Sequence, residues 1–323
     1  MNFKEIKEIK DMIMNGYQIT REEAIKLSYT NCIEALYYSA NQIRDKFCGS
    51  RFELISNFNL VLGNCEEDCH WCPLSKITTI NYSAYEQFDI QKVIDCTIKL
   101  HQKGVKWIEL STTHRTLTDE QLTTMIGYLN AIADNCNIGL CASFGSLSRE
   151  QLIRVKTETK ATRYHCNVET SERFYPKVCT TGNINDKYKT LKDAHELGFY
   201  VCSGGIIGMG ETMEDRIDMA LKLKELGVKS IALNILFSFN GTPFEKHPTL
   251  GNQEILTTFA IFRFINPRAQ LRFARGRSLI KIIEKEAIQT GINASIAGEL
   301  LVTAQPMDIV NDIKLFESEG FRL

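Results

Sequence analysis

The sequence predicts an α/β protein: a (β/α)₈ TIM barrel preceded by an N-terminal helical extension. Eight short apolar or β-branched runs recur along the chain, and each is followed by an amphipathic helical pattern. This alternation indicates a parallel sheet, and eight such units close most economically as a barrel of roughly 250 residues. An open doubly wound sheet is the alternative, but the later strands keep the same rhythm and favour the barrel.

Residues 1–50 are predicted to be helical, and residues 51–323 to form the barrel within a single domain. The helical part contains a capping box, with Thr20 as N-cap and Glu23 at N3. The predicted strands are Phe52–Leu62, Val105–Leu110, Ile138–Phe144, Thr162–Val168, Phe199–Ile207, Ser230–Leu236, Leu271–Phe273 and Ile292–Ile296. The predicted helices between them are Asp89–Lys103, Thr118–Asn135, Ile184–Leu197, Thr212–Leu226 and Glu254–Ile265.

Composition narrows the class of protein. The 323 residues are 44% hydrophobic, which is enough for a large core, and the net charge of −1 leaves no electrostatic footprint for nucleic acid. No stretch reaches the length of a membrane span, and the start lacks the apolar segment of a secretory signal. Eleven Cys without such a signal indicate a reducing compartment, so a cytoplasmic location is expected.

Cys65, Cys69 and Cys72 form a CxxxCxxC motif in the loop predicted after the first strand. Cys thiolates are the usual ligands of iron–sulfur clusters. Three of them would leave one iron of a four-iron cluster open to a small chelating molecule. A zinc site with His70 as fourth ligand and a set of unrelated core thiols are the alternatives. Structural zinc normally takes two separated ligand pairs, so the spacing favours the cluster.

A second group of candidate residues lies on predicted strands deeper in the barrel. Cys141 is on the third strand, Cys202 on the fifth and Arg272 on the seventh. A buried Cys is often only a small core residue. An unpaired guanidinium inside a barrel is costly, however, so Arg272 indicates a buried anionic partner or a cluster.

The motif, with Trp71 just before its third Cys, resembles the signature of radical S-adenosylmethionine (SAM) enzymes. From about residue 15 to about residue 320 the chain also resembles the biotin synthases. The segments that carry this second resemblance are Cys65–Pro73, Asn167–Ser171, Val201–Thr212, Asn240–Pro243 and Leu300–Thr303.

The resemblance implies radical insertion of sulfur into dethiobiotin, the last step of biotin biosynthesis. A 4Fe-4S cluster on the CxxxCxxC motif would bind SAM. A second iron–sulfur cluster, 2Fe-2S or of another nuclearity, would donate the sulfur from a site containing Cys141, Cys202 and Arg272. The family's remaining ligand, a Cys, aligns here with Ile108, which cannot coordinate iron. The second cluster is therefore expected to be differently composed or ligated.

The same resemblance implies roles for residues around the cavity. Those expected to contact SAM are Trp71, Asn167, Glu169, Gly204, Ile206 and Glu211, and those expected to contact dethiobiotin are Asn234, His165 and Asn167. Period-two alternation puts His165, Asn167 and Glu169 on one face of their strand and Cys166 on the other. The cysteines expected to be structural are Cys32, Cys48, Cys96, Cys136 and Cys179.

The resemblance also implies partners, and two competing functions are considered. A flavodoxin or ferredoxin-type electron donor and a homodimer are expected, with no nucleic acid and no membrane. One competing function is another radical SAM enzyme of the same sub-group, such as a hydrogenase-cofactor maturase or a carbon-skeleton mutase. The other is a non-enzymatic metal-binding protein. Retention of Cys141, Cys202, Arg272 and Asn234 together favours sulfur insertion.

Overall fold

A computed structural model describes residues 1–61, 65–80, 89–298 and 308–323. Eight parallel strands form a closed barrel in sequence order, and β1 pairs with β8. The predicted barrel is therefore confirmed. The strands are β1 (Glu53–Val61), β2 (Trp107–Thr112), β3 (Gly139–Ser143), β4 (Arg163–His165), β5 (Tyr200–Ile207), β6 (Ser230–Ile235), β7 (Gln270–Phe273) and β8 (Ala294–Ile296).

Three helices precede the barrel, as the sequence predicts: α1 (Phe3–Met14), α2 (Arg21–Ser28) and α3 (Ile33–Cys48). Thr20 and Glu23 form the expected reciprocal cap at the start of α2, with hydrogen bonds of 3.2 and 2.9 Å. The later helices are α4 (Ile90–Gln102), α5 (Asp119–Asn135), α6 (Arg149–Glu158), α7 (Ile184–Glu196), α8 (Met213–Glu225), α9 (Asn252–Ile265), α10 (Glu284–Ile288) and α11 (Ile309–Ser318). Among the described residues, no helix is both long and apolar enough to cross a membrane.

The sequence gives no range for helix α6, although a helix is expected after each strand, and β4 is shorter than predicted. Helix α6 buries only Leu152 and Val155, so its apolar pattern is weak, although Ser148 and Gln151 form a capping box at its start. Strand β4 ends at His165, although the Cys166 N–H still donates to the carbonyl of Cys202 and the Val168 N–H to the carbonyl of Gly204. Leu62, at the end of the first predicted strand, and the segment Leu300–Thr303 lie outside the described residues.

The floor of the barrel is a buried ion pair. The Arg163 guanidinium donates to both carboxylate oxygens of Glu53, at 2.6 and 2.8 Å, and lies 3.5 Å from the centre of the Trp107 ring. Gln270 donates to the same carboxylate at 3.0 Å. These contacts pair the two buried charges, leave only Nε of the Arg163 guanidinium without a hydrogen-bond partner among the described residues, and close the lumen below the functional residues.

Replacing Glu53 with Gln should destabilise the protein strongly, because the substitution leaves the buried Arg163 charge without a counter-charge. We expect the free energy of unfolding to fall by about 3–5 kcal/mol, measured by chemical denaturation. The matched control is Glu158→Gln, which removes a partly exposed pair with Arg154 on α6 and should change stability by less than about 1 kcal/mol. Equal effects of the two substitutions would contradict the structural role of the floor pair.

Candidate active site and metal centres

A cavity of about 540 Å³ opens at the carboxyl-terminal end of the barrel strands. Its volume lies within the range of small-molecule and cofactor sites, and its position is the usual one for the active site of such a barrel. The lining includes Trp71, Cys72, Asn57, Ser111, His165, Asn167, Glu169, Ile206, Asn234 and Arg272.

The CxxxCxxC loop lies at the rim of this cavity. Its fold is fixed by backbone bonds, including Cys72 N–H to the Cys69 carbonyl at 3.2 Å and His70 N–H to the Val178 carbonyl at 3.0 Å. Asp68 accepts hydrogen bonds from the backbone N–H groups of Thr180 and Thr181, at 2.8 and 3.1 Å. The three Cys side chains thus lie in a loop that is tied to the segment following β4.

The electrostatics of these thiols suit a cationic ligand. Burial raises the pKa of Cys65 to about 11 and also raises the pKa of Cys72. Thiols of this kind become thiolates when a metal supplies positive charge next to the sulfur. Soft sulfur donors in a partly buried loop therefore fit an iron–sulfur cluster better than a site for a hard cation.

Cys179, predicted to be structural, lies beside this loop. Its Sγ atom is 3.6 Å from Sγ of Cys69 and 3.4 Å from a carboxylate oxygen of Glu67. Ligand atoms of Glu67, Cys69 and Cys179 all lie within 4.8 Å of one another. The sequence gives no local signal for this contact, since Cys179 follows Cys69 by 110 residues.

The residues expected to contact SAM divide into two groups. Trp71, Asn167, Glu169 and Ile206 line the cavity. Glu211 is not among the lining residues, and its carboxylate accepts from Gly208 N–H and Met209 N–H, each at 2.7 Å, and from Arg216 Nε at 2.6 Å.

Gly204 likewise lies outside the lining set, and a Cβ there would fall 2.0 Å from the Ala232 carbonyl oxygen. Gly204 and Glu211 therefore lie in the β5–α8 region behind the described cavity wall, and their contact with SAM stays a prediction.

Glu169 has an unusual backbone. It is the non-glycine residue with positive φ in the described chain, at 71°. Its N–H donates to the Gly204 carbonyl at 3.1 Å, and its carbonyl accepts from Ile206 N–H at 2.7 Å. A Cβ on Gly205 would lie 2.4 Å from that carbonyl oxygen, so the close approach requires glycine. The carboxyl group faces a buried setting that raises its pKa, while the nearby Lys187 ammonium opposes this shift.

Two side chains that are candidates for contact with the substrate are held in place by hydrogen bonds within the protein. Asn234 donates to the Gly205 carbonyl at 3.0 Å and accepts from Arg275 N–H at 3.0 Å. His165 Nε2 lies 2.9 Å from Oδ1 of Asn167. As the alternation predicted, His165 and Asn167 face the lumen, whereas Cys166 is buried in the outer core.

Cys141, Cys202 and Arg272 come together in the middle of the lumen. Both thiols are fully buried, and hydrogen bonding from Cys141 lowers the pKa of Cys202, despite burial. Arg272 is 1% exposed, and its Nε and Nη1 atoms have no hydrogen-bond partner among the described residues. Its Nη2 atom lies 3.3 Å from Nδ1 of His165. A buried guanidinium with two unpartnered nitrogen atoms beside two thiols fits an anionic, thiolate-bound group.

The expectation that Ile108 takes the ligand position on β2 is wrong. Ile108 is fully buried in the outer core, and the lumen-facing neighbour is Glu109. The strand register agrees with this facing, since Glu109 on β2 lies opposite Cys141 on β3. A carboxylate, not an aliphatic side chain, therefore stands beside Cys141. The error is a shift of one residue, which reverses the facing of every side chain in a strand.

Comparisons with known proteins identify two family matches. Residues 59–223 match the radical SAM superfamily, and residues 232–322 match the Biotin and Thiamin Synthesis associated domain. The chain is 40% identical over 318 residues to the biotin synthase of Clostridium botulinum strain Hall, covering 98% of this chain and 99% of that protein. It is 38% identical over 319 residues to the biotin synthase of Parabacteroides distasonis, covering 98% and 97%.

Solved structures with the same fold include methylornithine synthase, with a TM-score of 0.82 and 17% identity over 97% of this chain and 96% of that chain. Another is the FeFe-hydrogenase maturase HydG from Carboxydothermus hydrogenoformans, with a TM-score of 0.82 and 16% identity over 98% and 79%. At these identities the likeness shows the fold alone.

The short distance between Cys69 and Cys179 leads to a direct test of the loop geometry. In metal-free protein, mild oxidation with diamide should link these two residues as a disulfide, because their sulfur atoms already lie 3.6 Å apart. Peptide mass spectrometry under non-reducing conditions would detect the linked pair, and Cys179→Ser is the control. Predominant linkage between Cys65 and Cys72 would contradict the described arrangement.

Proposed function

The chain belongs to the biotin synthase family of the radical SAM superfamily, and we propose that it inserts sulfur into dethiobiotin using a second iron–sulfur cluster as donor. The observation that carries the proposal is the pairing of two thiol-rich sites in one barrel. One is the CxxxCxxC loop at the cavity rim, and the other is the set of Cys141, Cys202 and Arg272 in the middle of the lumen.

At the rim, Cys65, Cys69 and Cys72 would hold the 4Fe-4S cluster that the family uses with SAM. When bound, this cluster supplies the electron that cleaves SAM into methionine and a 5′-deoxyadenosyl radical. The protein's own task is to position and shelter the reactants, because no polar side chain can abstract hydrogen from an unactivated carbon. Trp71 and Ile206 offer apolar wall to the adenosyl part, and Asn167 and Glu169 offer polar groups.

In the middle of the lumen, Cys141, Cys202 and Arg272 would hold the second cluster, whose role is to give up sulfur. Two features support this assignment: the thiols are fully buried, and two donor atoms of Arg272 lack a partner among the described residues. Dethiobiotin would then lie between the two sites. There Asn234, whose amide is oriented by the Gly205 carbonyl and Arg275 N–H, would contact the ureido ring.

The proposal also includes partners that the resemblance implies. These are a one-electron donor of the flavodoxin or ferredoxin type, a homodimeric assembly and a cytoplasmic location. The principal competing function is another radical SAM enzyme, a maturase or a mutase. The fold is compatible with that function, but the 40% identity to biotin synthases over nearly the whole chain favours sulfur insertion.

Substitutions at the two sites should separate radical formation from sulfur insertion. Cys69→Ala should abolish 5′-deoxyadenosine and biotin, whereas Cys141→Ala and Cys202→Ala should abolish biotin and leave 5′-deoxyadenosine. Both products can be quantified by mass spectrometry after anaerobic reduction with dithionite. Cys166→Ala is the matched control, since this thiol faces the outer core, and it should retain both products. Biotin formation by the Cys141→Ala protein would refute the proposed sulfur donor.

A carboxylate that accepts hydrogen bonds from ribose hydroxyls contributes roughly 1.5–3 kcal/mol to the free energy of binding. Glu169→Gln should therefore weaken SAM binding by about tenfold or more, measured by isothermal titration on the reconstituted protein. The exposed neighbour Glu172 offers a control, because Glu172→Gln makes the same charge change outside the cavity. Unchanged affinity in the Glu169 variant would assign the ribose contact to another residue.

A further inference from the structure

We propose that Glu109 supplies an oxygen ligand to the cluster in the middle of the lumen, in place of the thiolate that the family resemblance implies for this strand. The inference rests on the proposed function, because it presumes a second cluster at Cys141 and Cys202. It assigns a role to a residue that the sequence analysis passed over and gives the cluster a mixed sulfur and oxygen ligand set.

The two carboxylate oxygens of Glu109 are in different situations. Oε1 accepts a 2.7 Å hydrogen bond from Nδ2 of Asn57, whose own Oδ1 accepts from Ser111 at 3.1 Å. Oε2 points toward the thiol layer, 3.4 Å from Nδ1 of His165, 3.9 Å from Sγ of Cys141 and 3.9 Å from Nη2 of Arg272. One oxygen is thus held in place by β1 and β2, and the other faces the centre of the lumen without a short hydrogen bond in the described structure.

This arrangement is the one expected of an oriented metal ligand. Carboxylates and imidazoles that bind metals are usually held by a hydrogen bond from a neighbouring group on the side away from the metal. Asn57 provides such a bond here. A carboxylate that served only as the counter-ion of Arg272 would be expected to meet it in a close bidentate pair, as Glu53 meets Arg163 at 2.6 and 2.8 Å.

His165 is the other candidate in this layer, and its contacts make it the weaker one. Its Nε2 atom is 2.9 Å from Oδ1 of Asn167 and its Nδ1 atom is 3.3 Å from Nη2 of Arg272. Both ring nitrogens are therefore occupied by side chains of the protein. Nδ1 lies 3.4 Å from Oε2 of Glu109, so the ring also packs against the carboxylate and limits its movement.

Charge is consistent with the assignment. A thiolate and a carboxylate each carry one negative charge, so the exchange keeps the charge of the ligand set. Glu109 is buried, and a buried carboxylate needs a close cation or several hydrogen bonds. The iron of a bound cluster would supply that cation. Iron–sulfur sites with ligands other than Cys are known, as in Rieske centres, where two His replace two Cys on one iron.

The test uses full-length protein in which Cys65, Cys69 and Cys72 are all replaced by Ala, so that only the lumen site can bind iron. After anaerobic reconstitution with ferrous iron and sulfide, iron and acid-labile sulfide per chain are measured, together with visible absorption and Mössbauer spectra. These readouts do not depend on activity. The parent is compared with versions carrying Glu109→Gln, Glu109→Cys or Ile108→Val in addition.

The parent should bind iron and sulfide, and Glu109→Gln should lower the affinity for the cluster by about tenfold or more. Glu109→Cys should restore binding with stronger sulfur-to-iron absorption, which shows that the position itself is a ligand site. Ile108→Val changes the outward-facing neighbour and should match the parent.

The possible failures are distinguishable. A parent that binds no iron would refute the second cluster and thus the proposed sulfur donor. If the parent binds iron and Glu109→Gln leaves both content and spectra unchanged, the second cluster stands and Glu109 is not its ligand. Loss of iron in both the Gln and the Cys versions would also overturn the assignment, because it would indicate general damage to the lumen.

Discussion

Along every strand of the barrel, side chains alternate between the lumen and the surrounding helices, and each functional assignment depends on this alternation. It puts Glu109 beside Cys141 while Ile108 joins the outer core, and it puts His165 in the lumen while Cys166 faces outward. Because the sheet closes between β1 and β8, the register of each strand, and with it the facing of its side chains, is fixed. A strand in a closed barrel cannot slip by one residue without burying its polar face against the helices.

The lumen is consequently built in layers with different chemistry. The floor is the ion pair of Glu53 and Arg163, in which each charge meets its counter-charge through two hydrogen bonds. The middle layer contains buried thiols, Glu109 and an Arg272 guanidinium with two unpartnered donor atoms. Arg163 has a counter-charge within the protein and stabilises the fold. Arg272 has two unpartnered donor atoms, which fits the binding of a further anionic group.

Sequence patterns were sufficient to predict the barrel and the CxxxCxxC loop, because the signals for both lie in residues close together in the chain. Periodicity identifies strands and helices, and the three Cys of the loop lie within eight residues. The contact of Cys179 with Cys69 is different, since it arises only when the segment after β4 folds back onto the loop. The facing of β2 was also hidden, because Lys106 and Glu109, the two charged residues of the run, have opposite parity and alternation gives no register there. Helix α6 was missed because only two of its residues are buried.

The glycine-rich segment of β5 shows how backbone contacts can shape a site beside the side chains that line it. Positive φ at a non-glycine residue costs of order 1–3 kcal/mol, and Glu169 keeps it because backbone bonds to Gly204 and Ile206 hold the bend. Gly205 lets the Glu169 carbonyl approach to a distance that any Cβ would prevent. Glu211 in turn fixes the turn after β5 through Gly208, Met209 and Arg216. The motif that follows β4 and the motif on β5 are therefore one structural unit, which sets the direction in which the Glu169 carboxylate enters the cavity.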